Sequence, residues 1–334
     1  MTLCLQKRIG VCLLLVCSLL ANQRAIAVNI ADYPALTELT DDLVSNHGFD
    51  KAELSAMFSG VVINQKIIKA IKRPSERLPW HKYRSLFVTG KNVANGVKFW
   101  RANEETLSRA AAKYGVPQHI IVAIIGVETR YGAVTGGHRV LESLTTLGLG
   151  YPRRSKFFLG ELKEYLILAR EEGLPLSNLK GSYAGAMGIP QFMPSSYRQY
   201  AVDFNGDQTR DLISQTADAI GSVANYLHVH KWRAGAPISA RIGPVSNAKA
   251  DGFVQDKLST TTTIGDLQAS GIEVQMITSS DQKVGVMRLD SGSGNEYRIG
   301  FNNFYVITRY NRSILYAMAV NDLAEEIARE FGSS

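Results

Sequence analysis

The stretch Pro117-Gln118-His119-Ile120-Ile121-Val122-Ala123-Ile124-Ile125-Gly126-Val127-Glu128-Thr129-Arg130-Tyr131-Gly132 decides how the rest of this sequence is read. Its apolar run predicts a helix opened by a proline at a favoured first-turn position. A helix apolar on every side belongs inside a protein. The run ends at Glu128, so a carboxylate is expected at the C-terminal end of a buried helix. Two effects disfavour its charge there, desolvation and the negative pole of the helix dipole, and both raise its pKa. An acid that keeps its proton near neutral pH is what glycosidic bond cleavage needs, because the leaving sugar oxygen must be protonated as the bond breaks. The alternative is a structural ion pair of Glu128 with Arg130 or Lys113, since such pairs also perturb acids.

A second stretch, Gly181-Ser182-Tyr183-Ala184-Gly185-Ala186-Met187-Gly188-Ile189-Pro190-Gln191-Phe192-Met193-Pro194-Ser195-Ser196, is rich in small residues that let backbone or ligand approach closely. Ser182, Gln191, Phe192 and Met193 mix polar groups with apolar faces, as a sugar-binding cleft requires. Taken as pattern alone, the stretch fits tight helix packing equally well.

Working outward, Leu36, Leu39, Leu43, Leu54, Met57, Phe58, Val61 and Ile67 recur at helical spacings, and Arg73-Pro74-Ser75-Glu76-Arg77-Leu78-Pro79 interrupts them as a loop. A second helical block spans about 92–227, broken by glycine-rich segments at 132–137 and 181–188. Between about 237 and 308 the composition shifts toward Val, Ile, Thr, Gly and Asp. Glu273-Val274-Gln275-Met276-Ile277 and Phe304-Tyr305-Val306-Ile307 read there as short strands. The chain then returns to helix, capped by Ser313, with Ile314, Leu315, Met318 and Leu323 on its apolar face.

Residues 1–27 have the form of a secretory signal: Lys7 and Arg8, an apolar run over 9–21, and Ala25-Ile26-Ala27 for cleavage near Val28. That run is short for a bilayer span, and the alternative is an uncleaved anchor. All three cysteines, Cys4, Cys12 and Cys17, fall inside it, so a mature chain would hold no disulfide. Lipid attachment at Cys17 is the weaker option because Val16 stands where a small residue is wanted. The 334 residues are 45% hydrophobic and 20% charged, the balance of an ordinary globular protein. The net charge is +7, of which Lys7, Arg8 and Arg24 supply three, leaving +4. That mild excess suits an anionic polymer such as the cell wall, and without a Lys/Arg cluster it gives no case for nucleic acid.

The two stretches together closely resemble the lytic murein transglycosylase B family, whose core is lysozyme-like. The likeness continues through Asp218-Ala219-Ile220-Gly221-Ser222-Val223-Ala224-Asn225-Tyr226-Leu227 and Tyr310-Asn311-Arg312-Ser313-Ile314-Leu315-Tyr316-Ala317-Met318-Ala319-Val320. The resemblance implies an α+β, mainly helical protein. Its parts would be a signal at 1–27, an N-terminal helical region at 28–90, a lysozyme-like core at 91–236, a small antiparallel β insertion at 237–308 and a returning helix at 309–334.

The resemblance also implies that Glu128 is the one catalytic acid and base, cleaving MurNAc-GlcNAc β-1,4 bonds with 1,6-anhydromuramic ends. Ser182, Tyr183, Gln191, Phe192 and Met193 would line the substrate cleft, with Tyr226, Tyr310 and Asn311 as the wall around the acid. Arg153 and Arg154 would meet the peptide stem or lactyl carboxylates; their alternative is two solvated arginines. Two-carboxylate hydrolases differ in needing a partner acid, and Asp211, Asp218 and Glu142 are the candidates for one. A water-using muramidase and a wall-binding scaffold without turnover are the competing readings. The implied setting is a periplasmic monomer acting on glycan strands, with wall-synthesis or division proteins as partners.

In Asp203-Phe204-Asn205-Gly206-Asp207-Gln208-Thr209-Arg210-Asp211, oxygen donors stand at alternate positions Asp203, Asn205, Asp207, Thr209 and Asp211, the spacing of an EF-hand calcium loop. Gln208 replaces the glycine expected at the sixth position, and Ser214 the bidentate glutamate at the twelfth. Family members carry calcium here, so structural Ca²⁺ is weighed against a metal-free turn rich in Asp and Asn. No cofactor is expected for catalysis. The six histidines form no zinc pattern, and the glycine clusters lack the spacing of phosphate-binding loops.

Overall fold

The leucines spaced along the N-terminal region share one buried face: α1 (Pro34–His47) buries Leu36, Leu39 and Leu43 and stops at Gly48 in the left-handed conformation. The computed structural model describes residues 27–72, 77–243, 247–255, 259–276 and 278–333. The expected export segment up to residue 26, with all the cysteines, and residues 73–76 of the expected loop lie outside the described residues. Asp50 and Asn64 cap α2 (Lys51–Ser59) and α3 (Gln65–Ile71) through their side chains. Next come α4 (Trp80–Phe87), α5 (Gly90–Ala102), α6 (Glu104–Tyr114) and α7 (Gln118–Thr129).

α7 is the helix the opening stretch foretells. Pro117 stands one position earlier than expected, at its N-cap, and every residue from Ile120 to Val127 is buried. It packs against α5, α6 and, from later in the chain, α11 (Thr216–Val229) and α15 (Ile314–Ser333). Among the described residues no single helix is long and apolar enough to cross a membrane. α6 and α7 together reach that composition but are bent by 113°.

α7 ends abruptly. Arg130 and Tyr131 take φ of 51° and 63°, and their N–H groups close onto the carbonyls of Gly126 and Ile125. The reversal folds the Tyr131 ring back on Gly126, where an added Cβ would lie 2.6 Å from the phenol oxygen. Glycine is therefore required at 126. The same hydroxyl donates to Asn92 O on α5 at 2.8 Å, and burial pushes the phenol's pKa far above its ordinary value.

The two glycine-rich interruptions meet. β1 (His138–Arg139) pairs antiparallel with β2 (Lys180–Gly181) in the register His138↔Gly181. At Gly136, with φ of 107°, a Cβ would fall 2.1 Å from the Gly181 carbonyl, so the two backbones touch. Between the strands lie α8 (Val140–Gly150) and α9 (Ser155–Glu171), and after them α10 (Pro194–Tyr200) precedes α11.

The β insertion is present as an antiparallel sheet in the order β3 (Ser239–Arg241), β6 (Asn295–Gly300), β5 (Lys283–Asp290) and β4 (Thr262–Thr263), accompanied by α12 (Asn247–Asp251) and α13 (Ile264–Ala269). The alternation of β5 buries both of its faces. Val284 and Val286 join a small core with Ile264, Leu267 and Ile299, whereas Met287 and Leu289 join the main helical core. An ionic link adds to this seam: Asp322 of α15 lies 2.6 Å from Arg84 Nε and 3.8 Å from Arg298 Nη1 on β6.

Two strand expectations fail. Phe304-Tyr305-Val306-Ile307 lies in α14 (Asn302–Tyr310), where Asn303, Phe304, Ile307 and Thr308 are buried at helical spacing. The Asn303 side chain ties the start of that helix to Arg233 N, Arg233 O and Ala236 O. Of Glu273-Val274-Gln275-Met276-Ile277 only Val274 pairs, through a single bridge to Ile242, and residue 277 lies outside the described residues. The returning helix α15 begins as expected, with Ser313 Oγ accepting from Tyr316 N at 3.2 Å.

Candidate active site

Glu128 sits half-buried in the last turn of α7 and faces a cleft of about 750 Å³. Tyr316, 2% exposed on α15, donates its hydroxyl to Glu128 Oε1 at 2.6 Å. Burial and the nearby carboxylate push the Tyr316 pKa well above its ordinary value, so the phenol keeps its proton and acts as the donor. Lys113, weighed as an ion partner for Glu128, instead lies 5.2 Å from the Tyr114 ring centre.

The stretch from Gly181 to Ser196 forms one side of the cleft. Ser182 N donates to Ala186 O at 2.8 Å, while Ser182 Oγ accepts from Ala184 N at 3.3 Å and Ala186 N at 3.0 Å. Met187 and Phe192 exchange backbone hydrogen bonds, closing a turn in which Gln191 takes a φ of 52°. The Gln191 amide nitrogen donates to Thr135 O at 3.0 Å and Gly188 O at 2.9 Å. Its carbonyl oxygen makes no hydrogen bond to protein among the described residues.

The aromatic side is packed ring on ring. Tyr226 lies 4.9 Å from Tyr310 and 5.5 Å from Phe192, and stacks on His230 at 4.1 Å. Tyr310 donates to Pro190 O at 2.6 Å and Tyr226 to Arg309 O at 2.7 Å. Both hydroxyls are thus engaged by backbone. Burial raises both pKa values, and in Tyr310 the nearby Glu128 charge acts in the same direction.

The structure brings together most residues that the sequence nominates. Glu128, Arg154, Ser182, Tyr183, Gln191, Met193, Tyr226, Tyr310 and Asn311 all line the cleft. Phe192 does not; it is 2% exposed and supports Tyr226 and Tyr310 from beneath. Arg153 does not either. It is exposed in the short turn Pro152–Arg154, while Arg154 lies 4.0 Å over the Phe157 ring at the cleft.

Two contributors escape sequence reasoning. Tyr316 is 188 positions from Glu128 and shows in sequence only as one more apolar-face residue of a helix. Glu161, 6% exposed on α9, lines the cleft and accepts from Ser195 N at 2.9 Å and Ser195 Oγ at 2.7 Å. The acids considered as partners for Glu128 are engaged elsewhere. Glu142 bonds Asn64 and Arg139, Asp218 accepts the amides of Phe204, Asn205 and Asp211, and Asp211 accepts those of Ile213 and Ser214.

In the 203–214 loop, Asp203 accepts from Gly206 N at 2.6 Å and Gln208 N at 2.8 Å, and Asn205 Nδ2 donates to Asp207 at 2.9 Å. Thr209 caps back onto Asp207. Among the described residues no three acidic, histidine or cysteine side chains converge as a ligand cluster.

The transglycosylase SLT domain family matches residues 31–325. The membrane-bound lytic murein transglycosylase B of Escherichia coli (strain K12) is 44% identical over 317 residues, covering 92% of this chain and 86% of that protein. Among solved structures, the soluble lytic transglycosylase SltB1 of Pseudomonas aeruginosa has a TM-score of 0.83 at 46% identity, covering 90% of this chain and 100% of that one. The Escherichia coli lytic transglycosylase Slt35 in complex with calcium has a TM-score of 0.84 at 42% identity, covering 93% and 98%.

Burial raises the pKa of Glu161 above its ordinary 4.5, against the opposing pull of Ser195. Between 4.5 and that raised value the folded chain binds the proton more than the unfolded one, so stability falls as pH rises through the window and levels off above it. Glu161→Gln removes the titration. Urea midpoints measured from acid to neutral pH are expected to show the variant gaining on wild type as pH rises. A gap that stays constant or closes contradicts the assignment.

Proposed function

This chain belongs to the transglycosylase SLT domain family, and from that premise we propose that Glu128 is the single catalytic group of its cleft. The protein is a lytic murein transglycosylase, cleaving the MurNAc-GlcNAc β-1,4 bond of peptidoglycan and leaving 1,6-anhydromuramic ends. The observation that carries the role of Glu128 is its place at the cleft with the Tyr316 phenol on Oε1. The other acid lining the cleft, Glu161, already accepts two hydrogen bonds from Ser195. A hydrolase of the two-carboxylate type would need a second acid beside the bond.

The reaction needs two proton transfers through one carboxyl group. With Tyr316 donating to Oε1, Glu128 is held in place to supply the transferable proton. That proton passes to the glycosidic oxygen as the bond from the anomeric carbon to that oxygen breaks. The resulting carboxylate then takes the proton of the muramic acid 6-hydroxyl as O6 bonds to the anomeric carbon. Glu128 ends protonated, no water is consumed, and the product is the anhydro sugar. Tyr316 keeps the carboxyl in one orientation through both transfers.

The remaining residues bind and orient. The amides of Ala184 and Ala186 occupy the acceptor side of Ser182 Oγ, so its hydrogen is directed to an acceptor such as the N-acetyl carbonyl. Gln191, with its amide nitrogen committed to backbone, offers an acceptor to sugar O–H or N–H groups. Tyr226 and Tyr310 offer ring surface, because their hydroxyls are already bonded. Tyr183, Met193 and Asn311 complete the surface, and Arg154 adds a cation suited to carboxylates of the substrate.

The 203–214 loop suits a weakly held structural calcium. Asp203, Asn205, Asp207, Thr209 and Asp211 offer only oxygen, the donor type a hard cation selects. Gln208 adopts a φ of 72°, the left-handed turn that glycine usually provides at the sixth position. Ser214 brings a hydroxyl where a bidentate carboxylate belongs, which limits affinity. Residues 1–27, read as an export signal, would deliver the enzyme to the periplasm, where its substrate lies.

Mass spectrometry of soluble products from purified peptidoglycan tests the mechanism. Wild type is expected to release anhydromuropeptides and Glu128→Gln none, with Tyr316→Phe giving the same products about tenfold more slowly, the cost of one orienting hydrogen bond. Reducing-end products would identify a muramidase instead, and an active Glu128→Gln would remove Glu128 from its role. For the loop, millimolar Ca²⁺ is expected to raise the melting temperature and EDTA to lower it. Absence of both shifts sinks the calcium proposal.

A further inference from the structure

Three arginines line the cleft, Arg154, Arg309 and Arg312, and among the described residues none lies within 4 Å of a carboxylate. Arginines elsewhere, such as Arg84, Arg139, Arg198 and Arg210, are ion-paired. Arg154 has other support: it rests on the rings of Phe157 and Phe158 and lies close enough to Glu161 to favour that acid's charge. Arg309 and Arg312 have neither. Both are exposed, and they stand on either side of Tyr310 and Asn311 in sequence.

Their backbones are fixed. The Arg309 carbonyl accepts from Tyr226 at 2.7 Å, and Ser313, directly after Arg312, donates its N–H to Asn311 O at 2.7 Å and caps α15. Arg309 in the last turn of α14 is favourable to that helix's dipole, so folding alone explains a cation there. Arg312 is different. It precedes the capping serine of the 20-residue α15, at the positive end of that dipole, where a cation opposes folding. The helix end and both guanidiniums instead create a positive field beside Tyr310 that an anion would relieve.

We propose that Arg309 and Arg312 form a carboxylate-binding site for the substrate, engaging the acid group of muramic acid itself or of the peptide attached to it. The proposal rests on the reading of this cleft as the glycan site. An unpaired guanidinium binds carboxylate through two parallel hydrogen bonds, and two of them held on a short fixed segment would set the position of the muramic residue along the cleft.

Titration calorimetry in the Glu128→Gln background, which prevents cleavage, tests it. Three soluble glycan preparations are compared: peptide-bearing, amidase-stripped, and stripped with its lactyl carboxylates methyl-esterified. Adding Arg309→Gln and Arg312→Gln together is expected to raise Kd about tenfold or more on a carboxylate-bearing glycan, to flatten its salt dependence, and to leave the esterified glycan unchanged. A loss already seen on stripped glycan assigns the lactyl carboxylate. One confined to peptide-bearing glycan assigns the stem. Arg309→Lys with Arg312→Lys, keeping charge without the fork, is expected to fall between. Equal affinities on all three glycans, or equal losses that include the esterified one, overturn the proposal while leaving the glycan cleft intact. Binding of no glycan by the Glu128→Gln protein overturns both.

Discussion

The hydroxyl of Thr129, 1% exposed at the last position of α7, is the joint on which the site depends. It donates to Ile189 O at 2.8 Å, with Ile125 O at 3.2 Å, and accepts from Gly132 N at 2.9 Å. Those bonds fix the end of the buried helix, the left-handed reversal after it and the turn carrying Pro190 and Gln191. Glu128 precedes Thr129 and inherits its position. In a dry interior each of these polar groups would be costly unpaired, so the three segments have one low-energy arrangement.

Strain gathers at the same place. Arg130, Tyr131 and Gln191 all take positive φ without being glycine, a conformation that persists only when its surroundings enforce it. Tyr131 is held by its ring on Gly126 and its hydroxyl on Asn92, and Gln191 by its amide on Thr135 and Gly188. Tyr310 then fastens Pro190 from α14, and Tyr316 reaches Glu128 from α15. The last tenth of the chain thus completes a site begun near residue 117.

This division explains what was legible in the sequence. α7 is unmistakable because an unbroken apolar run ending in an acid has few other readings, and the glycine-rich stretch from 181 is legible because its composition answers a local need for close backbone approach. Phe304-Tyr305-Val306-Ile307 misleads because four apolar residues fit either period; the side-chain clamp of Asn303 on a loop 70 residues earlier settles it as helix. Phe192 reads as cleft surface because its stretch mixes polar groups with apolar faces, yet its ring is buried. Tyr316 and Glu161 leave no local signal at all. One looks like core and the other like the polar side of a helix, and only tertiary packing gives each its partner.

The distribution of acids follows from the same economy of partners. A buried carboxylate is tolerable when amide or hydroxyl donors surround it, as Asp218 shows with three backbone N–H groups and Glu161 with the amide and hydroxyl of one serine. Acids so committed hold the fold. Glu128 receives a bond from a phenol that stays neutral, a partner able to orient the carboxyl without fixing its charge. A group that must be acid in one step and base in the next needs this kind of neighbour, since a guanidinium would hold it ionised. The unpaired cations of the cleft, Arg309 and Arg312, belong to the substrate's charge and not to the enzyme's.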